Sequence, residues 1–380
     1  MEEVNMVIAA VVAAMVLTAT PANGKPEAKR PEVWMNMVQL EPLGRPGARW
    51  DFVKRRLDVL EFPINAVAFL MPEQDIRGIV EQCNRNGIKI ALECGYFDWK
   101  SQTADFSAPS PKGITDTVRT TMAPGVGEET ARSEIGKIQN LVRAGAKIAY
   151  LNLDGPVRRM LWPGSDVGRG DIPGLASVDL CVTELVAYMR TMVKAFPGLQ
   201  FYVLANFPNW GWRGEPSYWG GMFYGDYFDV LRKTLDGCRA ARVPLRGVTA
   251  DNPYEYTIGM QPHKAWAAME GEAQPTKQVD PAKVDWMARL LDLEKTVKSR
   301  GLRFNLIINS QGGGDASEEA FQRTTLKYME TYLAAGGKAD GLIFQTWYKF
   351  PSKAEPEDEP YTMTNLLKAA IQRLEAGTAR

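Results

Sequence analysis

Eight short, β-rich apolar runs alternate along the chain with amphipathic stretches of helical period, and this rhythm restricts the fold more than any other feature. The runs are Val33–Leu40, Ile64–Met71, Ile88–Tyr96, Lys147–Asp154, Gln200–Asn206, Gly247–Asp251, Arg303–Asn309 and Gly341–Trp347. Between them the spacing predicts helices over Glu73–Asn86, Glu128–Ala144, Val178–Phe196, Tyr227–Ala241, Ala282–Arg300 and Ser317–Ala335, with Thr364–Ala376 closing the series. Strict alternation implies parallel strands joined by right-handed crossovers. Eight such units fit a single (β/α)8 TIM barrel of the α/β class, which 380 residues accommodate as one domain.

Polar residues inside these runs fall in step. In Tyr150-Leu151-Asn152-Leu153-Asp154 the leucines face the outer helices, which turns Asn152 and Asp154 toward the barrel axis. The same alternation turns Glu93, Asn206, Asp251, Asn309 and Gln345 inward near the C-terminal ends of their strands, and Asn36 extends the ring. Burying an unpartnered polar group costs a few kcal/mol. A whole ring of them therefore marks a ligand site.

Loop lengths point to the same end of the barrel. Helix-to-strand connections are short, as at Asn86-Gly87 and Ala144-Gly145-Ala146, whereas strand-to-helix connections are long after Trp99, Asp154, Phe207 and Asn252. Barrel enzymes build their sites from the long loops. Trp99, Trp162, Trp210, Trp212, Trp219, Trp266 and Trp347 all fall at strand ends or in the loops that follow. Flat rings carrying an N–H donor suit sugar faces, so a carbohydrate cleft is expected, with Trp210, Trp212, Arg213, Glu215 and Trp347 among its binding residues. The bland alternative is that such tryptophans pin long loops to the barrel.

Composition excludes several partners. Lysine plus arginine and aspartate plus glutamate both number 45, so the formal charge is zero and neither nucleic acid nor an anionic membrane is expected. The single histidine, His263, excludes a multi-histidine metal site, and no nucleophile elbow accompanies it. Cys83, Cys94, Cys181 and Cys238 lack CxxC spacing and read as scattered buried thiols. No cofactor and no metal is expected. Residues 1–22 read as an export signal: Met6–Ala19 is almost wholly apolar yet too short to span a bilayer, and Thr20-Pro21-Ala22 supplies small residues before Asn23. The acidic Met1-Glu2-Glu3 start is unusual for such a signal. A polar leader over 23–32 and a barrel over 33–380 complete the expected organisation, that of a secreted or periplasmic protein.

Three carboxylates occupy inward strand-end positions: Glu93, Asp154 and Asp251. Hydrolysis of a glycosidic bond needs two carboxyl groups across it, about 5 Å apart for retention and roughly 6.5–9.5 Å for inversion. The segment Tyr150-Leu151-Asn152-Leu153-Asp154 resembles the Tyr-Leu-Lys-Tyr-Asp strand of α-galactosidase-type barrel glycosidases. That resemblance implies Asp154 as nucleophile and Asp251, after the sixth strand, as acid/base. It covers only these short segments, and Asn152 stands where the family has lysine. Glu93 lies amid Ile90-Ala91-Leu92 and Cys94. Burial there would raise its pKa and suit it to donate a proton, unless a cation such as Lys89 pairs with it. Glu215 and Glu255 are further acid/base candidates. Asp154 before Gly155-Pro156 and Asp251 before Asn252-Pro253 also read as turn-formers.

Arg158, Arg159, Arg169, Arg213 and Lys349 share the same loops, where they suit sulfate or carboxylate groups of an acidic glycan or simply a solvated surface. Gln311-Gly312-Gly313-Gly314-Asp315 precedes a helix capped by Ser317, a weak phosphate-site signal. The expected function is a glycoside hydrolase in which Asn36, Asn152, Asn206, Asn309, Gln345 and Trp347 orient the sugar. Two alternatives stay open: a lyase or isomerase holding Mg2+ or Ca2+ on Glu93, Asp154 and Asp251, and a barrel that binds glycans without catalysis.

Overall fold

Eight parallel strands close into a barrel in sequence order, β1 pairing with both β2 and β8. The computed structural model describes residues 30–97, 125–161, 177–218, 225–260 and 280–378, and the architecture belongs to the unit Pro31–Arg380. The expected export signal lies outside the described residues, as do Trp99, Trp162, Arg169, Trp219, Trp266 and His263. Among the described residues no helix is long and apolar enough to cross a membrane.

The strands are β1 (Glu32–Met37), β2 (Val59–Pro63), β3 (Lys89–Cys94), β4 (Ile148–Asp154), β5 (Gln200–Asn206), β6 (Leu245–Asp251), β7 (Arg303–Ile308) and β8 (Gly341–Thr346). The long outer helices are α1 (Glu73–Asn86), α2 (Val126–Arg143), α3 (Val178–Ala195), α4 (Tyr227–Ala240), α5 (Trp286–Ser299), α6 (Glu318–Ala334) and α7 (Met363–Thr378). Local chemistry explains their ends. Ser177, Asp226, Asp285 and Ser317 each accept a backbone N–H of the first helical turn, which satisfies a donor the helix leaves orphaned. Gly87 stops α1 in a left-handed conformation, φ 70°, and its N–H bonds to the Cys83 carbonyl.

One strand departs from expectation. The run Ile64–Met71 is not β2; the strand is Val59–Pro63, and Ala66–Leu70 winds into a π-helical turn that exposes Phe69 and Leu70. From Val59 to Met71 the residues are almost continuously apolar, so local pattern does not say which part is strand. The ladder decides it: Trp34 pairs with Val59 and Asn36 with Glu61, while Val59 pairs with Lys89 on the other side. Pro63 has no N–H to donate, and the strand ends there.

Alternation within each strand divides the core in two. Outward residues such as Val33, Leu60, Leu92, Leu151, Val203 and Phe344 pack against the helices. Inward residues from the N-terminal half of the strands fill the barrel: Trp34 stacks on Tyr150 with ring centroids 5.3 Å apart, and Tyr202 meets both edge-on. Ile307 and Ile343 complete this cluster at the level of Trp34. The barrel is thus plugged at one end, and its polar inward residues collect at the other.

Candidate active site at the C-terminal strand ends

The next inward positions along the strands are polar. Asn36, Glu61, Glu93, Asn152, Asn309 and Gln345 are all buried; Asp154 is nearly so, and Asn206 and Asp251 are half-buried at the mouth. The structure therefore brings together every inward candidate expected from the strands and adds Glu61. Asn309 lies one residue beyond β7. Glu61 escaped sequence analysis because β2 was misplaced, although Val59-Leu60-Glu61-Phe62 repeats the apolar–carboxylate pattern of Ala91-Leu92-Glu93-Cys94.

Amides bind the carboxyls together. Asn36 Nδ2 donates to Glu61 Oε2 and to Glu93 Oε2, 2.8 Å in each case. Gln345 Nε2 donates to the same Glu93 oxygen at 2.5 Å, reaching it from β8. Burial raises the Glu61 carboxyl to about 7, with the amides of Asn36 and Asn152 pulling the other way. Burial also pushes Glu93 well above the usual carboxylate range, and the charges of Glu61, Asp154 and Asp251 add to the effect. Lys89 does not pair with Glu93: its ammonium donates to Glu32 at 2.9 Å and to the Tyr150 hydroxyl at 3.1 Å, beside the aromatic floor.

The two aspartates sit in contrasting settings. Asp154 forms an ion pair with Arg159, whose Nε also donates to the Asp154 carbonyl at 2.8 Å. The Arg159 guanidinium lies over the Tyr96 ring, 4.7 Å from its centroid. Gly155 makes the turn after Asp154, at φ 52°, and a Cβ there would come within 3.1 Å of Arg158 Nε and Asn206 Oδ1. Asp251 instead accepts Asn206 Nδ2 at 3.0 Å, from the residue paired with it across the β5–β6 ladder. Burial raises Asp251 to about 6; the Asn206 bond lowers it, the Asp154 charge raises it and the Arg158 charge lowers it. Asp251 thus spends its side-chain bond on a residue across the ladder, whereas the contact of Asp154 is local, to the arginine that also holds its carbonyl.

Tyr96 is a second residue that sequence analysis did not single out. Buried Glu134 of α2 accepts the backbone N–H groups of Gly95 and Tyr96 at 2.9 and 3.1 Å, and the Tyr188 hydroxyl at 2.5 Å. This clamp fixes the chain just past β3 and holds Tyr96 beneath Arg159.

Several expected rim residues serve packing instead. Trp210 and Trp212 are buried, Trp210 against Tyr227 and Trp212 against Phe207 and Phe228. Trp212 Nε1 and Arg213 Nε both donate to Asp292 of α5, at 2.9 and 2.6 Å, so these side chains tie the loop to the outer helices. Glu215 is exposed on the same loop and acts electrostatically on Arg289. Glu255 accepts N–H groups from Gln311 and Gly312 and the Ser310 hydroxyl. It thereby caps the short helix Gln311–Ala316, and its carboxylate takes the place a phosphate would need. Trp347, 43% exposed, remains an open aromatic at the mouth. Cys83, Cys94, Cys181 and Cys238 are buried free thiols. Among the described residues no three acidic, histidine or cysteine side chains converge closely enough to hold a metal ion.

No family model matches the chain, and no curated protein matches its sequence. The chain is similar to several solved structures. A psychrophilic glycoside hydrolase family 10 endo-beta-1,4-xylanase is 11% identical over 89% of this chain and 96% of its own, with a TM-score of 0.43. The N-terminal endo-1,4-beta-D-xylanase 10B of Clostridium thermocellum is 11% identical over 93% of this chain and 69% of its own, TM-score 0.46. A D-allulose 3-epimerase from Methylomonas sp. is 12% identical over 92% and 98%, TM-score 0.37.

Proposed function

We propose that the chain is a glycoside hydrolase in which Asp154 and Asp251 flank the scissile bond. The observation that carries this reading is the contrast between two carboxyl groups at the ends of β4 and β6. Arg159 matches the charge of Asp154, as suits a carboxylate that attacks or stabilises the anomeric carbon. Asp251, raised to about 6 chiefly by burial, suits a proton donor to the leaving oxygen. Two titratable groups whose surroundings give them different roles are the usual basis for acid and base assignments. Glu93, held by Asn36 and Gln345, serves as the buried acid under the sugar rather than as the attacking group.

Export forms part of the proposal, supported by the apolar segment before Asn23; sequencing the N-terminus of the mature protein tests it. The activity is tested by release of 4-nitrophenol and of reducing ends from a panel of glycosides and polysaccharides. Turnover that disappears in Asp154→Asn and Asp251→Asn, with circular dichroism unchanged, supports the assignment. No turnover on any glycoside, or turnover that both variants retain, overturns it.

A further inference from the structure

The geometry points to an uncharged polyhydroxylated sugar ring, bearing neither carboxylate nor sulfate, as the ligand of the central site. The inference rests on the glycosidase reading and names its substrate class. It replaces the acidic-glycan expectation raised by the loop arginines.

Hydrogen-bond polarity supplies the first reason. The carboxyls orient the amides around them: Asn36 and Gln345 give their NH2 groups to Glu61 and Glu93, and Asn206 gives its own to Asp251. Each amide then has its carbonyl oxygen left over. Asn36 Oδ1, Gln345 Oε1, Asn206 Oδ1 and Asn309 Oδ1 are all buried without a partner, as are Glu61 Oε1 and Asp251 Oδ1. Asn152, fully buried on β4, lies beside Glu61 and lowers its carboxyl, while its Oδ1 makes no hydrogen bond. Acceptors thus outnumber donors, so the complementary ligand is one that donates. A sugar hydroxyl donates one hydrogen bond and still accepts, whereas a carboxylate or sulfate only accepts.

Charge supplies the second, independent reason. The ring holds four carboxyl groups, Glu61, Glu93, Asp154 and Asp251. Among the described residues, the guanidinium of Arg159 is already paired with Asp154, and the charge of Arg158 acts on Asp251. Arg213, counted among the loop cations, is committed to Asp292 and Thr296. An anionic substituent entering the ring meets the Asp251 carboxylate and adds to the charge that already holds protons on Glu61 and Glu93, in a site of low dielectric where such repulsion is weakly screened.

The test uses sugar pairs that differ by one carboxylate: methyl glucoside and methyl glucuronide, the corresponding galacto pair and the manno pair. Calorimetry with the full chain at pH 7 and 150 mM salt gives the affinities, and the 4-nitrophenyl glycosides of the same pairs give turnover. We expect at least one neutral sugar to bind, with its uronide at least tenfold weaker. A uronide that binds as tightly as its neutral twin, or no neutral sugar binding at all, overturns the inference. Preferential cleavage of a uronide leaves the hydrolase standing and removes this inference. Neutral-selective binding without any cleavage does the reverse. Asn152→Leu adds a second arm: sugar affinity falls at least tenfold, while thermal stability at pH 5, where Glu61 holds its proton, changes little. A variant that loses stability but keeps affinity assigns Asn152 to the scaffold and counts against the proposal.

Discussion

Glu61 and Glu93 accept hydrogen bonds from one and the same nitrogen, Asn36 Nδ2, at 2.8 Å each, which brings two buried carboxyls within two hydrogen-bond lengths of each other. Two negative charges that close in a dry interior repel strongly, so the pair retains protons at pH values where exposed carboxylates have lost theirs. Asn36 keeps the two side chains in place while they do so. The consequence is a titration near neutrality at the centre of the barrel.

That titration has a stability signature. The Glu61 carboxyl stands at about 7 in the folded chain against an ordinary 4.5. Its contribution to stability is complete below pH 4.5 and is lost as pH rises through 7. Glu61→Gln keeps the shape and removes the proton equilibrium. Between pH 5 and pH 8 the wild-type unfolding free energy in urea should therefore fall by ~1–3 kcal/mol more than that of the variant. Asp251 titrates in both proteins and cancels from the comparison. Equal pH slopes would sink the idea.

A proton donor works only while protonated. With Asp251 at about 6, kcat/KM on a glycoside should decline as pH climbs above 6. Asp251→Asn should abolish that limb and lower kcat by about 10²–10⁴-fold. In Asp154→Asn, loss of the neighbouring negative charge should move the Asp251 titration downward, which carbon NMR of the carboxyl reads directly. An upward shift there would contradict the arrangement.

Arg159 grips Asp154 through both its carboxylate and its carbonyl while resting on Tyr96. Arg159→Met leaves the Asp154 carboxylate without its counter-charge. We expect kcat to drop roughly 10–100-fold with KM little changed. Stability should fall by about 1–3 kcal/mol, because a mostly buried carboxylate loses its counter-charge. Arg159→Lys should recover only a fraction of the rate, since an ammonium does not reproduce the fork. Full activity in Arg159→Met would refute a role in the reaction.

The tryptophans divide into two behaviours. Trp347→Ala, at an exposed ring, should raise KM for oligosaccharides roughly 3–10-fold without altering the melting temperature. Trp210→Ala removes a buried ring packed on Tyr227 and should cost about 3–5 kcal/mol in denaturant unfolding while leaving KM of the folded fraction unchanged. Exchanged outcomes would show that the mouth lies elsewhere.

Much of the barrel is legible in the sequence, for local reasons. The two-residue alternation of Tyr150–Asp154 and the helical period of Glu73–Asn86 are properties of neighbouring residues, so they survive folding unchanged. The cap at Ser317 is equally local. Asn152, Asp154, Asn206, Asp251 and Gln345 follow from the same alternation, because a side chain turned away from the helices must enter the barrel.

What only the tertiary structure decided depends on contacts between distant segments. Glu61 joined the site because β1 and β3 fix which part of a long apolar run pairs between them, a register no local pattern encodes. Trp210 and Trp212 left it because Tyr227, Phe228 and Asp292 pack over their loop. Glu255 left it to cap a helix some fifty residues away. The raised carboxyls of Glu61, Glu93 and Asp251 arise from desolvation and from one another, and burial is set by everything that surrounds a group. Sequence alone thus determined the frame and its polar end; the choice of residues that meet there, and their charge states, belonged to the folded chain because proximity creates both.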